Sequence, residues 1–160
     1  MTTERPVGVG FIGSGEISIL HAKAVHAIPE ARLVGLWNRT ESLAIERAKL
    51  YGCRRYATPE ELVNDPEIDA VFVLTNLETH LQYTRLALEA GKHVLVEKPL
   101  AATVADVEEM KAIAERCGRV CVPGHNMIHE ESLARAREII ERGDIGKIVS
   151  CYVMYNIHHS

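Results

Sequence analysis

The sequence predicts an α/β fold, a doubly wound parallel sheet with helices on both faces. Three observations predict it. Short apolar runs alternate with longer amphipathic ones along most of the chain, and such alternation builds a parallel sheet from strand–helix–strand units. The apolar runs are largely continuous, as strands covered on both faces require. Glycines and capping residues punctuate the helical segments.

Val7-Gly8-Val9-Gly10-Phe11-Ile12 reads as the first strand, and residues 17–28 as the first helix. Leu33-Val34-Gly35-Leu36-Trp37 is the second strand. Residues 42–51 form a helix that Gly52 stops, since glycine takes the left-handed conformation that ends a helix. A short third strand lies near residues 54–56. Thr58-Pro59-Glu60-Glu61 supplies an N-cap, a proline at the first helical position and a carboxylate at the third, a full capping box. Ala70-Val71-Phe72-Val73-Leu74 is the fourth strand. Thr79-His80-Leu81-Gln82 reads as a second capping box, for a helix that runs to Ala90 and ends at Gly91. His93-Val94-Leu95-Val96 is the fifth strand. Thr103 caps the next helix, with Asp106 at its third position. Val104, Val107, Met110 and Ala114 put an apolar stripe on one face, and Gly118 ends that helix. Val120-Cys121-Val122 is the sixth strand. Residues 130–142 form a helix with Leu133, Ala136, Ile139 and Ile140 inward, stopped by Gly143.

Residues 148–157 read as one long strand with nothing to pair with. A long unpaired strand is a hazard that proteins normally cover. It is therefore expected to be the first strand of a second, α+β domain that is absent, which makes the chain a fragment. The expected division is residues 1–123 as the nucleotide-binding domain and 124–160 as a connecting helix and the start of that second domain.

Composition sets outer limits. The chain has 160 residues, 47% hydrophobic and 25% charged, within the globular norm and away from disorder. A chain this long can bury about 70% of its unfolded surface, so it needs no disulfide or metal staple. The formal net charge of -4 leaves no basic excess for a phosphate backbone, so no nucleic-acid partner is expected. No apolar run reaches the roughly 20 residues of a membrane helix, so no membrane partner is expected either. The first residues lack the apolar stretch of a signal peptide, and a cytoplasmic location is the expectation. Cys53, Cys117, Cys121 and Cys151 form no Cys-x-x-Cys pair and are read as buried, reduced thiols. No metal site is expected.

Glycine supplies the first chemical candidate. Residues 8–13 match G-x-G-x-x-G literally, but that match would use the strand itself as the loop. Gly13-Ser14-Gly15-Glu16-Ile17-Ser18 sits between the first strand and the first helix, where the motif belongs. Gly13 permits the tight turn, Gly15 lets backbone approach a pyrophosphate, and Ser18 is small enough for close helix–strand packing. The helix N-terminus then offers unpaired N–H groups to the anion. The competing reading is a glycine-rich turn with no ligand.

A ribose would be read at the end of the second strand. Asn38 there has no charge to repel a 2′-phosphate. Arg39 either pairs with that phosphate or is a solvated loop residue. The cofactor is thus NAD or NADP, with NADP slightly favoured. Glu97-Lys98-Pro99 follows the fifth strand, at the edge where open α/β sheets bind ligands. Lys98 is the catalytic candidate, a proton donor or acceptor toward a substrate hydroxyl, with Glu97 to orient it. Its bland counterpart is a surface ion pair. Thr75, Asn76 and His80 follow the fourth strand on the same edge, and Asn126 follows the sixth; all four are cofactor-binding candidates with Glu16, Ile17 and the glycines. His21 lies on the first helix and reads as a packing or solvated histidine.

Taken together, Gly13-Ser14-Gly15 with His21, Ala90-Gly91-Lys92-His93-Val94, Glu97-Lys98-Pro99-Leu100 and Gly143-Asp144-Ile145-Gly146-Lys147-Ile148 resemble the N-terminal half of the Gfo/Idh/MocA oxidoreductases. The resemblance implies a Rossmann domain and an NAD(P)-dependent dehydrogenase of sugars, polyols or related small molecules, homo-oligomeric when full length. It implies that Lys98 touches substrate and cofactor, and that the Lys98–Pro99 peptide is cis. The family's Asp-x-x-x-His acid–base pair belongs to the second domain and has no counterpart here, so this chain alone is expected to be inactive. Two departures stand out. Asn76 and Leu77 replace the family's Pro-Asn, and Asn38 replaces a common acidic residue. The alternative is a dinucleotide-binding or sensing module without catalysis.

Overall fold

The computed structural model describes residues 5–154. Its strands are β1 (Val7–Ile12), β2 (Ala31–Trp37), β3 (Arg54–Arg55), β4 (Ala70–Val73), β5 (His93–Val96) and β6 (Cys121–Pro123). Its helices are α1 (Ile17–His26), α2 (Glu41–Tyr51), α3 (Pro59–Asn64), α4 (His80–Glu89), α5 (Val104–Cys117) and α6 (Glu131–Glu141). The six strands form one sheet in the order β3-β2-β1-β4-β5-β6, and every pairing is parallel. The chain winds outward from β1 to β3, then crosses back and winds outward from β4 to β6. The order therefore reverses between β1 and β4, and a doubly wound sheet opens a crevice at the carboxyl ends there.

Each face of the sheet carries a core. Val9 and Phe11 pack with Leu33, Leu36 and the α1 and α2 residues Ala22, Val25, Ala44 and Ala48. Ile12, Val71, Val73, Val94 and Val96 pack with Leu62, Leu88 and Ile113 from α3, α4 and α5. Side chains of a strand alternate between faces, so Gly8 and Gly10 share the α3 side with Ile12. A Cβ on Gly10 would lie 2.8 Å from Leu62 Cδ2 and from Ile68 Cδ1. The two glycines that complete the literal motif are thus packing residues, which let the α3–β4 segment press against the sheet.

Local chemistry fixes most element ends. Thr58 accepts the Glu61 amide at 3.1 Å, while the Glu61 carboxylate accepts the Ala57 amide at 2.9 Å. Thr103 accepts the Asp106 amide at 3.1 Å. Gly52 and Gly118 close α2 and α5 in the left-handed conformation. The expected cap of α4 is corrected. Thr79 makes no cap bond; its hydroxyl turns back to Thr75 Oγ1 and the Asn76 carbonyl, closing a 3₁₀ turn over Leu77–Thr79. Val104 is also outside the predicted stripe, 78% exposed in the first turn of α5, whereas Met110, Ile113 and Ala114 are buried.

At the amino-terminal edge of the sheet, Lys92 Nζ donates to the Asp65 and Ile68 carbonyls at 3.0 and 2.7 Å. Burial pushes this ammonium below the ordinary lysine value, against Asp69 and Asp65, which raise it. His93 Nδ1 accepts the Val120 amide at 3.1 Å. Lys92 and His93 therefore tie strand beginnings together, far from the carboxyl ends.

The chain divides into two units after Gly124. In the second, a 3₁₀ turn (Asn126–His129) precedes α6. No α6 residue is buried, and Leu133 and Ile140 are each 42% exposed, which corrects the expected inward face. An apolar stripe is covered only where another layer packs on it, and the described residues of this unit supply none. Residues 148–154 form no strand, a second correction; a strand needs a neighbour to take its N–H and C=O groups. The remaining positions of that expected strand, 155–157, lie outside the described residues.

All four cysteines are free. Cys53, Cys117 and Cys121 are half-buried, but Cys151 is exposed, contrary to the reading of all four as buried. Burial pushes the Cys53 thiol up to about 11, leaving almost no thiolate at neutral pH. Iodoacetamide at pH 7.5 should alkylate Cys151 first and spare Cys53, as peptide mass mapping would show; equal labelling would contradict this burial.

Candidate functional site

The glycine loop, residues 13–18, leaves β1 at the point where the strand order reverses. Gly13 has φ +99°, and a Cβ there would lie 2.7 Å from the Leu74 carbonyl, so both conformation and space call for glycine. A Cβ on Gly15 would meet nothing within 4 Å. The loop is therefore open on its outer side, and the opening faces a cleft of ≈ 350 Å³. Gly13 and Gly15 form one wall, Arg39 and Thr40 after β2 another, and Thr75 and Asn76 after β4 a third. Trp37 and Tyr83 also line the cleft, their ring centroids 5.5 Å apart and their planes tilted by 60°.

Neighbouring side chains lock the loop's shape. Asn38 Oδ1 accepts the Ser14 amide at 3.0 Å, and its Nδ2 donates to the Thr40 carbonyl at 3.1 Å. Both ends of this amide serve the loops, so Asn38 braces the cleft that it also lines. Ser14 is fully buried, and its hydroxyl does not line the cleft. Ser18 Oγ donates to the Gly15 carbonyl at 2.6 Å and meets Tyr51 Oη at 2.7 Å. Glu16 begins α1, and its exposed carboxylate accepts Arg47 Nη2 at 2.7 Å. Ile17 opens that helix and is exposed.

The remaining candidates fall at three places. Arg39 is exposed at the mouth of the cleft, close enough to Tyr83 to act on its phenol electrostatically. His80 is 2% exposed, its ring nitrogens facing the Thr75, Pro99 and Leu100 carbonyls at 3.0–3.2 Å. It thus joins the β4 and β5 loops from beneath. Glu97 follows β5; its Oε2 accepts the amide of Lys98 at 2.9 Å, not the ammonium. Lys98 is exposed, and its Nζ has no hydrogen-bond or ion-pair partner among the described residues. The expected orientation of the Lys98 ammonium by the Glu97 carboxylate is corrected. The Lys98–Pro99 peptide is cis. Asn126 lies in the second unit, exposed in its 3₁₀ turn.

The profile of an oxidoreductase family with an NAD-binding Rossmann fold, GFO_IDH_MocA, matches residues 7–125. The chain belongs to the Gfo/Idh/MocA family. It is 33% identical over 140 residues to myo-inositol 2-dehydrogenase of Thermotoga maritima, covering 87% of this chain and 42% of that one. It is similar to the crystal structure of an NAD binding oxidoreductase from Klebsiella pneumoniae, with TM-score 0.82, 33% identity and coverage of 88% and 40%. It is similar also to biliverdin reductase in complex with biliverdin and NADP+ from Synechocystis, with TM-score 0.75, 30% identity and coverage of 85% and 43%. The chain thus spans less than half the length of these relatives.

Two residues of this Gfo/Idh/MocA member escape the motif reading, and a third, His21, enters it without its partner. Arg47 and Tyr51 stand four apart on α2, hence on one face, and both reach the glycine loop. Arg47 Nε also donates to the Ser14 carbonyl at 3.4 Å. His21 is a partner of Glu97, 76 positions away. The apolar spacing of α2 and its unbroken helical pattern give no hint of the first pair. The recurrence of His21 beside the glycine loop in the family pattern is the one signal for the last.

Proposed function

We propose that this chain binds a nicotinamide dinucleotide, as the cofactor-holding part of an oxidoreductase acting on a sugar, a polyol or a related small molecule. The observation that carries the proposal is the open side of Gly15 on a cleft at the reversal of strand order. The cleft's donors fit such a ligand. The start of α1 presents N–H groups to a pyrophosphate, and Gly15 leaves room for it. Trp37 and Tyr83 give the adenine a surface, and Thr75 and Asn76 border the path toward β5. The bound nicotinamide supplies a carbon that gives or takes hydride.

The residues of this chain have separate duties. Asn38, Arg47 and Tyr51 hold the loop in its binding shape before any ligand arrives, which lowers the ordering cost of association. Arg47 also neutralises Glu16, a carboxylate that would otherwise repel phosphate. Lys98 offers an unpaired ammonium at the end of β5, suited to a substrate hydroxyl. Turnover also requires walls that hold the substrate carbon against the nicotinamide. We place those walls, and the main acid–base group, in sequence that the longer relatives possess and this chain does not span, so residues 1–160 alone bind cofactor without turnover. The inositol and biliverdin enzymes among the relatives differ widely in substrate, which agrees with substrate choice residing there.

Arg39 favours NADP(H). It is exposed at the cleft mouth, and Asn38 brings no negative charge to repel a 2′-phosphate. Arg39→Ala should weaken NADPH binding by about 1.5–3 kcal/mol, the range of a hydrogen bond to a charged group, and leave NADH nearly unchanged. Fluorescence titration of both nucleotides would check this. Equal losses for the two, or a native preference for NADH, would assign Arg39 to the solvated surface.

A further inference from the structure

Glu97 is the most constrained charged side chain of the carboxyl edge. It is 9% exposed, and three features converge on its carboxylate. His21 Nε2 donates to Oε1 at 2.8 Å, and the Lys98 amide donates to Oε2 at 2.9 Å. Gly124 approaches from β6's end, where a Cβ would lie 3.3 Å from Oε1. His21 is itself held by aromatic edges, with ring centroids 5.5 Å from Phe72 and 6.4 Å from Phe11, both near perpendicular. A carboxylate only accepts, so Nε2 carries the proton of this contact. Burying such a pair is no gain over an apolar one, so its stability does not account for it.

Its geometry does. Glu97 precedes Lys98 directly, and a carboxylate free to turn would be the nearest counterion for the Lys98 ammonium. His21 instead holds that carboxylate through Oε1, and the Lys98 amide holds it through Oε2. We propose that His21 is a positioning residue that captures Glu97 and so leaves the Lys98 ammonium unpaired for the nicotinamide half of the ligand and its substrate. The inference rests on the dinucleotide reading above. It adds a role to a helix residue 76 positions from its partner, on the β5 side of the crevice rather than the adenosine side.

The test uses the 160-residue chain and two probes, NADPH and ADP-ribose, which lacks the nicotinamide. His21→Leu should lower NADPH affinity roughly tenfold, the lower end for a hydrogen-bonded charge contact, while ADP-ribose binds as before. His21→Gln keeps a donor toward Glu97 and should recover most of the loss. Adding Glu97→Gln to His21→Leu removes the freed charge and should also restore affinity, which a purely structural role does not predict. His21→Met, whose flexible chain fills the same space, carries the test if the leucine variant does not fold. An unchanged NADPH affinity, a parallel loss of ADP-ribose, or no relief in the double variant overturns the proposal. Native protein that binds neither probe overturns the dinucleotide reading itself, and this inference with it.

Discussion

Gly15→Val should abolish dinucleotide binding and leave the fold intact. The space beside Gly15 is empty of protein atoms, so a valine side chain meets no neighbour and the backbone there is not in a left-handed conformation. Unfolding stability should therefore change by no more than about 1 kcal/mol. On the proposed reading the pyrophosphate approaches through the same open space, and two methyl groups would fill it. Affinity for NADPH should fall by roughly a hundredfold or more, equivalent to about 3 kcal/mol. Calorimetric titration together with thermal unfolding reads both quantities on one sample. Native-like affinity in the variant would move the ligand away from the loop.

Gly8→Ala should do the reverse. A Cβ on Gly8 would stand 1.7 Å from the Glu67 carbonyl oxygen and 3.1 Å from Val34 Cγ2. The obstruction is backbone, which cannot rotate aside, and Gly8 also donates its amide to Asp69 at 2.7 Å in the same place. Strand β1 must then separate from the segment before β4, and the loss should be about 2–4 kcal/mol, at the upper end for overpacking. For a chain of this size that lowers Tm by roughly 5–15 °C. Gly8 starts β1, whereas the cleft lies past its other end, so NADPH affinity measured well below Tm should persist. A stable Gly8→Ala protein would mean that the β1–Glu67 approach is looser than described.

The contrast between these two glycines shows what one sequence discloses. Both belong to glycine-rich stretches within eight residues of each other. Position after a continuous apolar strand and before a helix was enough to separate the loop that borders the cleft from the packing glycines, because that context is local. The alternation of runs was likewise enough for the sheet, its six strands and its doubly wound order. Caps were legible where proline and a carboxylate acted together, as at Thr58, and illegible at Thr79, whose hydroxyl had nearer partners in Thr75 and Asn76. The apolar stripe of α6 is real in the sequence, yet periodicity does not say whether a covering layer is present.

The site divides in the same way. Gly13, Gly15, Arg39, Thr75 and Asn76 line the cleft, as their places at strand ends suggest. Asn38 lines the same cleft while its amide holds loop backbone, and the Glu97 carboxylate is held by His21 and the Lys98 amide. Both have side chains suited to a ligand, and both are turned onto protein partners that the chain brings from 24 and 76 positions away. Arg47, Tyr51 and His21 act through tertiary contacts that leave no periodic trace. Loop preorganisation is therefore the part of the site that only coordinates disclose.

The central claim is that residues 13–18 hold a nicotinamide dinucleotide. Isothermal titration of the 160-residue chain with NADPH, NADH and ADP-ribose tests it most directly. The account predicts saturable one-site binding of all three, NADPH tightest, with all heats lost in Gly15→Val. Absence of binding by the folded native chain, or identical isotherms for native and variant protein, would contradict it.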